Sequence, residues 1–410
     1  MTKVCFISNE AARTGAPAIL LGLSQWLGAH HRIETVHVLM RDGALRPDFE
    51  HLGQTHAWTP TDLNQPDRFH KRLGKLLRQR GHADPGVWLT RILEKEEPDI
   101  IYLSTLVLGK YLRQVKKKPQ QRIVSHVHEL LPSLRQLSND QEVKIQLDLS
   151  DAVIACAPCV ADMLRTTYAL PASRCTIIPE YIVPDASSPA PASSGAMPDS
   201  VARELGTMPR LLDALRDGLP LIGTGGTPIH RKGFDLFPQL VRECTRRFGG
   251  DPFHAVWMGC GAGSAAHVDM EWDLKRLGLW DSVTLVPSVS LPTFRWLLSR
   301  LKVLTLLSRE DPFPLVVLEA GMVGVPTVCF EGSGAIPDLA AEGCCVSVAY
   351  LDLPAFAAAV WRLCRSGEEA REIAARCHGK VSTELSLDVV APRVAEVLLG
   401  RAAPGVAGAG

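Results

Sequence analysis

Short apolar runs alternate with longer helical stretches along the whole chain. In the first half, residues 4–8, 35–40, 99–104, 122–127 and 151–155 read as buried strands. The second half repeats the pattern at 219–223, 255–259, 282–286, 303–307, 327–330 and 345–348. Such alternation predicts an α/β fold built on parallel, doubly wound sheets. Ligands of these sheets bind beyond the carboxyl ends of the strands, so the loops that follow each run are the ones to search. Between the halves, residues 185–200 are rich in Pro, Ala and Ser and show no periodicity, which predicts a linker. It separates a first domain, 1–184, from a second, 201–385. Residues 353–399 are largely helical in pattern, and the Ala/Gly/Pro tail at 401–410 is expected to be disordered.

Composition narrows the function classes. With 410 residues, 46% of them apolar, the chain can bury two sizeable cores. Lys and Arg number 44 and so do Asp and Glu, so bulk charge recruits no nucleic acid. No apolar run approaches the roughly 18 residues that span a bilayer, and the apolar start at 4–7 is too short for a signal-peptide core. A cytoplasmic protein is expected. Two basic stretches, 68–80 and 110–122, each carry six Lys or Arg. Either they are the solvated faces of ordinary elements or they touch the anionic inner face of a membrane as a peripheral contact. Eleven cysteines lie mostly in apolar segments, as reduced core thiols do, and the lone Cys156–Cys159 pair has no second CxxC with which to build a zinc site.

The densest chemistry lies at 310–326. Asp311 and Glu319 stand eight residues apart, with Phe313, Pro314 and Leu315 between them, and the stretch from Pro314 to Gly324 reads as a helix between two buried strands, with Pro314 in its first turn. A helix N-terminus offers backbone N–H groups to phosphate, while sugar and ribose hydroxyls donate to carboxylates. The same spacing also fits a plain cap at Asp311 and a solvated Glu319. Gly15 and Ala16 open a second such N-terminus after the first strand. A Gly-rich loop at 223–226 runs on to Arg231 and Lys232, two cations suited to anionic oxygens. His126 and His128 share one face of a strand end, with no Cys or third His nearby to complete a metal site.

The run 308–320, with its acid-x7-acid spacing, closely resembles the signature of family 4 of the retaining glycosyltransferases, which have the GT-B architecture: two doubly wound Rossmann-like domains facing a central cleft. The resemblance spans nearly the whole chain. It implies transfer of a sugar from a UDP- or GDP-sugar to an acceptor hydroxyl with retention, in polysaccharide or glycoconjugate biosynthesis. It further implies that Lys232, with Arg231, takes the diphosphate charge, that Glu319 holds the ribose and Asp311 the donor-sugar hydroxyls, and that His128, followed by Glu129 as in the family, lines the sugar site. Gly15, Ala16, Gly259, Phe313, Pro314 and Leu315 fall at donor-binding positions, and a last helix at about 386–400 packs back on the first, acceptor-side domain. Asp311 stands where the family usually has Glu, and Thr227 where it usually has Arg. No Asp-x-Asp is present, so neither a metal nor a cofactor is assigned. The acceptor, whether a glycan, a lipid-linked glycan or a small molecule, is not specified by these residues. Two rivals share the fold: a sugar-nucleotide epimerase and a non-catalytic nucleotide-sugar-binding scaffold.

Overall fold

The apolar runs become the strands of two parallel sheets in the computed structural model, which describes residues 1–59, 84–183 and 196–400. The chain divides into two units, Met1–Val183 with Leu387–Gly410, and Pro184–Ser386.

In the first unit seven strands, β1 (Thr2–Ser8), β2 (Ile33–Leu39), β3 (Gln54–Ala57), β4 (Ile100–Leu103), β5 (Arg122–Val127), β6 (Ala152–Ala155) and β7 (Cys175–Ile177), lie in the order β3-β2-β1-β4-β5-β6-β7. The order reverses direction between β1 and β4, which places a topological switch at the sheet's centre. Central strands are apolar on both faces because helices cover both: Cys5 pairs with Val36 on one side and Ile101 on the other, all three buried. His37 meets Ser24 Oγ at 2.7 Å, and burial pushes its ring down to about 4, so it packs as a neutral side chain. The helix Leu387–Leu399 belongs to this unit. Its Val397 carbonyl accepts from Arg122 at 2.9 and 3.2 Å, and Asp388 accepts from the Trp26 indole at 3.1 Å.

The second unit holds six strands, β8 (Leu221–Gly225), β9 (His254–Met258), β10 (Val283–Val286), β11 (Leu301–Leu306), β12 (Thr327–Phe330) and β13 (Val346–Val348), in the order β10-β9-β8-β11-β12-β13. Here the switch lies between β8 and β11. Trp257, fully buried on β9, organises the core: Phe234 and Phe237 meet its ring edge-on at 5.0 and 5.4 Å. Its indole N–H reaches past the sheet to the Gly226 carbonyl at 3.0 Å. Packing at the core thereby fixes the start of the Gly-rich loop that leaves β8.

The linker reading is corrected at its C-terminal end. Asp199 begins a helix, Asp199–Leu205, with Val201 and Leu205 buried, so the linker does not reach 200. Its remainder, the basic stretch 68–80 and the tail 401–410 lie outside the described residues. The other basic stretch is described, and several of its cations have partners within the unit: Lys117 with Asp151, Lys118 with Glu97 at 2.6 Å and Arg113 with Glu142 at 3.1 Å. Among the described residues no helix is long and apolar enough to cross a membrane. All eleven cysteines are described and none forms a disulfide.

Candidate functional site

In the second unit the loops after β8 and β11 meet at the switch. The first, a 3-10 turn at His230–Lys232, carries the two cations. Lys232 Nζ stands 2.6 Å from Asp311 Oδ2, and the Ser308 hydroxyl donates to the same oxygen at 3.1 Å. Arg231 donates to the Glu310 carbonyl at 2.8 Å, and the Arg309 N–H returns a bond to the Arg231 carbonyl at 2.8 Å. Arg309 also forks onto both carboxylate oxygens of Asp235, at 2.7 and 2.8 Å. The two loops are thus stitched by backbone and charge, and the cations hold one place. Sequence reading foresaw Lys232 and Asp311 as separate contacts; the structure makes them an ion pair.

The signature helix runs Leu315–Met322, and Pro314 is the residue before it, not in its first turn. As a proline it offers no N–H, so of the three residues 313–315 only Phe313 and Leu315 can present amides to an anion. No side chain caps the helix, which removes the plain-cap reading of Asp311. Asp311 instead forms an isolated parallel bridge with Gly334: its N–H donates to the Ser333 carbonyl at 2.6 Å, and Ala335 N–H donates to the Pro312 carbonyl at 3.1 Å.

Glu319 is not a freely solvated helix residue. Burial pushes its carboxyl up to about 7, against the pull of the Arg295 charge. The ordinary value is 4.5, so between about pH 4.5 and 7 the native chain holds a proton that the unfolded chain has lost. Stability therefore falls as pH rises through that window and levels off above it. Glu319→Gln is expected to flatten this limb, and thermal unfolding at intervals from pH 4.5 to 8 measures it.

Gly259 lies at the end of β9, where its N–H donates to the Val286 carbonyl at 2.8 Å, as does that of Cys260 at 2.9 Å. These amides serve the sheet, which leaves the Gly259 carbonyl as the group able to meet a ligand.

In the first unit, Gly15 and Ala16 are the first residues of the helix Gly15–His30, preceded by Thr14, whose side chain does not cap it. Beyond the end of β5, His128 Nδ1 is bonded to Glu180, a residue 52 positions away that sequence reading did not single out. The third member that joins the two histidines is a carboxylate, neither a Cys nor a third His: His126, His128 and Glu180 offer three ligand atoms within 4.8 Å of one another, a donor set that could hold a metal ion. The His126 and His128 rings lie 4.1 Å apart, and His126 Nδ1 meets the Tyr102 hydroxyl. Burial alone would lower His128; the Glu180 carboxylate, by charge and hydrogen bond, and Glu129 outweigh it and raise the ring above its ordinary value. His126 is held well below its own by burial and by the charge of His128. Glu129, the acid of the His-Glu pair, turns to the chain itself: Thr105 donates to it, as do the amides of His128 at 3.2 Å and Leu106 at 3.4 Å.

Solved structures share this architecture. HepE of Anabaena, in complex with UDP-glucose, superposes with a TM-score of 0.73 at 16% identity, covering 98% of this chain and 100% of the other. Sucrose-phosphate synthase from Thermosynechococcus elongatus gives 0.71 at 16%, covering 98% and 99%. A glycosyltransferase from Rickettsia africae gives 0.69 at 12%, covering 98% and 99%. The fold is that of the GT-B glycosyltransferases. A family model described as Glycosyltransferase Family 4 matches residues 15–185, and one described as Glycosyl transferases group 1 matches 218–366. The chain belongs to this glycosyltransferase family. No curated protein sequence matches it.

Proposed function

We propose that the protein is a retaining, metal-independent glycosyltransferase that moves a sugar from a UDP-sugar to an acceptor hydroxyl in polysaccharide or glycoconjugate biosynthesis. The observation that carries this reading is the pairing of Lys232 with Asp311 at the β8–β11 switch, directly ahead of the signature helix. A departing diphosphate needs cations and amides that are already in place, and a sugar needs a carboxylate within reach. Here Lys232, Arg231 and the amides of Phe313 and Leu315 supply the first and Asp311 supplies the other; Gly15 and Ala16 are donor-binding positions of the first unit. Glu319 takes the ribose hydroxyls, the Gly259 carbonyl meets the base, and His128 contacts the transferred sugar. UDP is favoured over GDP because HepE was solved with UDP, with UDP and glucose, and with UDP-glucose.

The chemistry is positioning and electrostatics. The bond from the anomeric carbon to the diphosphate oxygen breaks, and the bond to the acceptor oxygen forms on the same face. The acceptor's proton passes to the departing phosphate oxygen, so no protein base is required. Arg231, whose guanidinium is tied to the Glu310 carbonyl beside Lys232, stands in for the arginine that the family usually carries where this chain has Thr227.

Thermal unfolding with UDP, UDP-glucose, GDP, GDP-mannose and ADP, in EDTA throughout, tests the proposal. A ligand at 100 times its Kd adds about 2.7 kcal/mol to native stability. A shift with UDP and UDP-glucose is expected. The absence of any shift in a folded sample, or one that appears only when EDTA is replaced by a divalent cation, would sink the reading.

A further inference from the structure

We propose that Glu180 is a positioning residue for His128: its carboxylate accepts a hydrogen bond from the Nδ1–H of the ring and leaves Nε2 as the ring nitrogen offered to the transferred sugar. Glu180 is 3% exposed, and residues on both sides of it are anchored. Ile178 N–H donates to the Ala155 carbonyl at 3.0 Å, and the Tyr181 hydroxyl donates to the Ile19 carbonyl at 2.7 Å. The carboxylate has little freedom to leave the ring it holds.

The neighbouring histidine points to the same arrangement. Tyr102 is 1% exposed, and its hydroxyl meets His126 Nδ1; if the hydroxyl donates there, His126 carries its own proton on Nε2. That Nε2 is buried without a hydrogen-bond partner, and so is Glu180 Oε2. Donor and acceptor are complementary, and ligand atoms of His126, His128 and Glu180 all lie within 4.8 Å of one another, so the oxygen not bonded to His128 remains beside the second imidazole. The His126 ring packs, tilted, 4.1 Å from the ring that Glu180 fixes. A histidine that contacts a sugar through one nitrogen needs the other held, because a ring free to flip presents the wrong group half the time. Glu180 stands in the loop after β7, so an edge strand of the sheet delivers it to a residue at the end of β5.

The kinetic arm of the test rests on the proposed function. The spectroscopic arm does not, so the two can fail separately. Glu180→Gln keeps the shape and an acceptor and removes the charge. In full-length protein, with UDP stabilisation intact, it is expected to lower kcat by about 10²-fold while the donor KM stays within about twofold. His128→Ala should lower kcat at least as far, and the double variant no further than His128→Ala alone, since the two act as one unit. Independently, nitrogen-15 spectra of the imidazoles should show His128 Nδ1 protonated at pH 7.5 and that signal weakened in Glu180→Gln. Additive losses in the double variant would overturn the proposal, as would an unprotonated His128 Nδ1 in the native protein. A stoichiometric bound metal that is lost with Glu180→Gln would also overturn it, in favour of metal ligation by the same three side chains.

Discussion

Lys232→Ala is expected to lower transfer by about 10²- to 10³-fold, the scale of removing one preorganised donor from a developing negative charge. The same change should also destabilise the fold. Lys232 is the cation of Asp311, whose side chain is only 7% exposed, and without it the carboxylate keeps the Ser308 hydroxyl as its one neutral donor. Removing one member of a largely buried pair typically costs about 3–5 kcal/mol, because the other charge stays behind in a poor solvent. Lys232→Arg separates the two effects. It restores a charge for Asp311 but places it on a planar fork in a space shaped by an ammonium group, so stability should recover further than kcat. Steady-state kinetics and thermal unfolding of both variants measure this, together with the shift that UDP produces. A Lys232→Ala enzyme that turns over within threefold of the parent would remove Lys232 from the mechanism.

Gly334→Ala should be the most damaging small change in the second unit. Gly334 has φ +122°, a region that L-residues rarely adopt, and a Cβ there would stand 1.8 Å from the Asp311 carbonyl oxygen. Neither side can give way easily, since hydrogen bonds on both sides of the Asp311–Gly334 bridge tie the two segments together. Backbone strain of about 1–2 kcal/mol and overpacking of about 1–3 kcal/mol together predict a loss of about 2–5 kcal/mol, or a fall in Tm on the order of 10 °C. The proper comparison is Gly332→Ala in the same loop, where φ is +70° but nothing lies within 4 Å of the added carbon. It should show the strain without the clash. If both variants melt alike, the close approach at Asp311 is not what demands glycine.

What could be read from the sequence divides by physical cause. Central strands were legible because both their faces are covered, which makes them apolar runs: β11 and β12 were found from 303–307 and 327–330 and extend Leu301–Leu306 and Thr327–Phe330. The two edge strands of the first unit were not. In β3, Gln54 and His56 point their polar ends at the buried Glu96, each at 3.0 Å from its Oε1, so no apolar alternation marks the strand. In β7 three residues are too few for a period to show, and two of them are exposed. Missing β7 meant missing Glu180, whose partner is 52 residues away; the remaining signal was an acid just past a strand end. Within the signature, the acid spacing was plain, but the raised carboxyl of Glu319 reflects burial, and the Arg295 charge that opposes it, neither of which local spacing encodes.

The return of the helix Leu387–Leu399 to the first unit has a consequence for how the protein is made. The second unit is one continuous stretch of chain, whereas the first is completed by residues synthesised after all of it. Until that helix leaves the ribosome, Arg122 lacks the Val397 carbonyl and Ile182 lacks the amide of Leu387, and the helix Gly15–His30 keeps an uncovered face. Domains tend to fold as they emerge, so the second unit can close first although the chain begins with the other. A chain terminated and released after residue 386 should therefore carry a protease-resistant second unit and a protease-sensitive first one, and the cell would read such a stop codon as a folding defect at the opposite end of the protein.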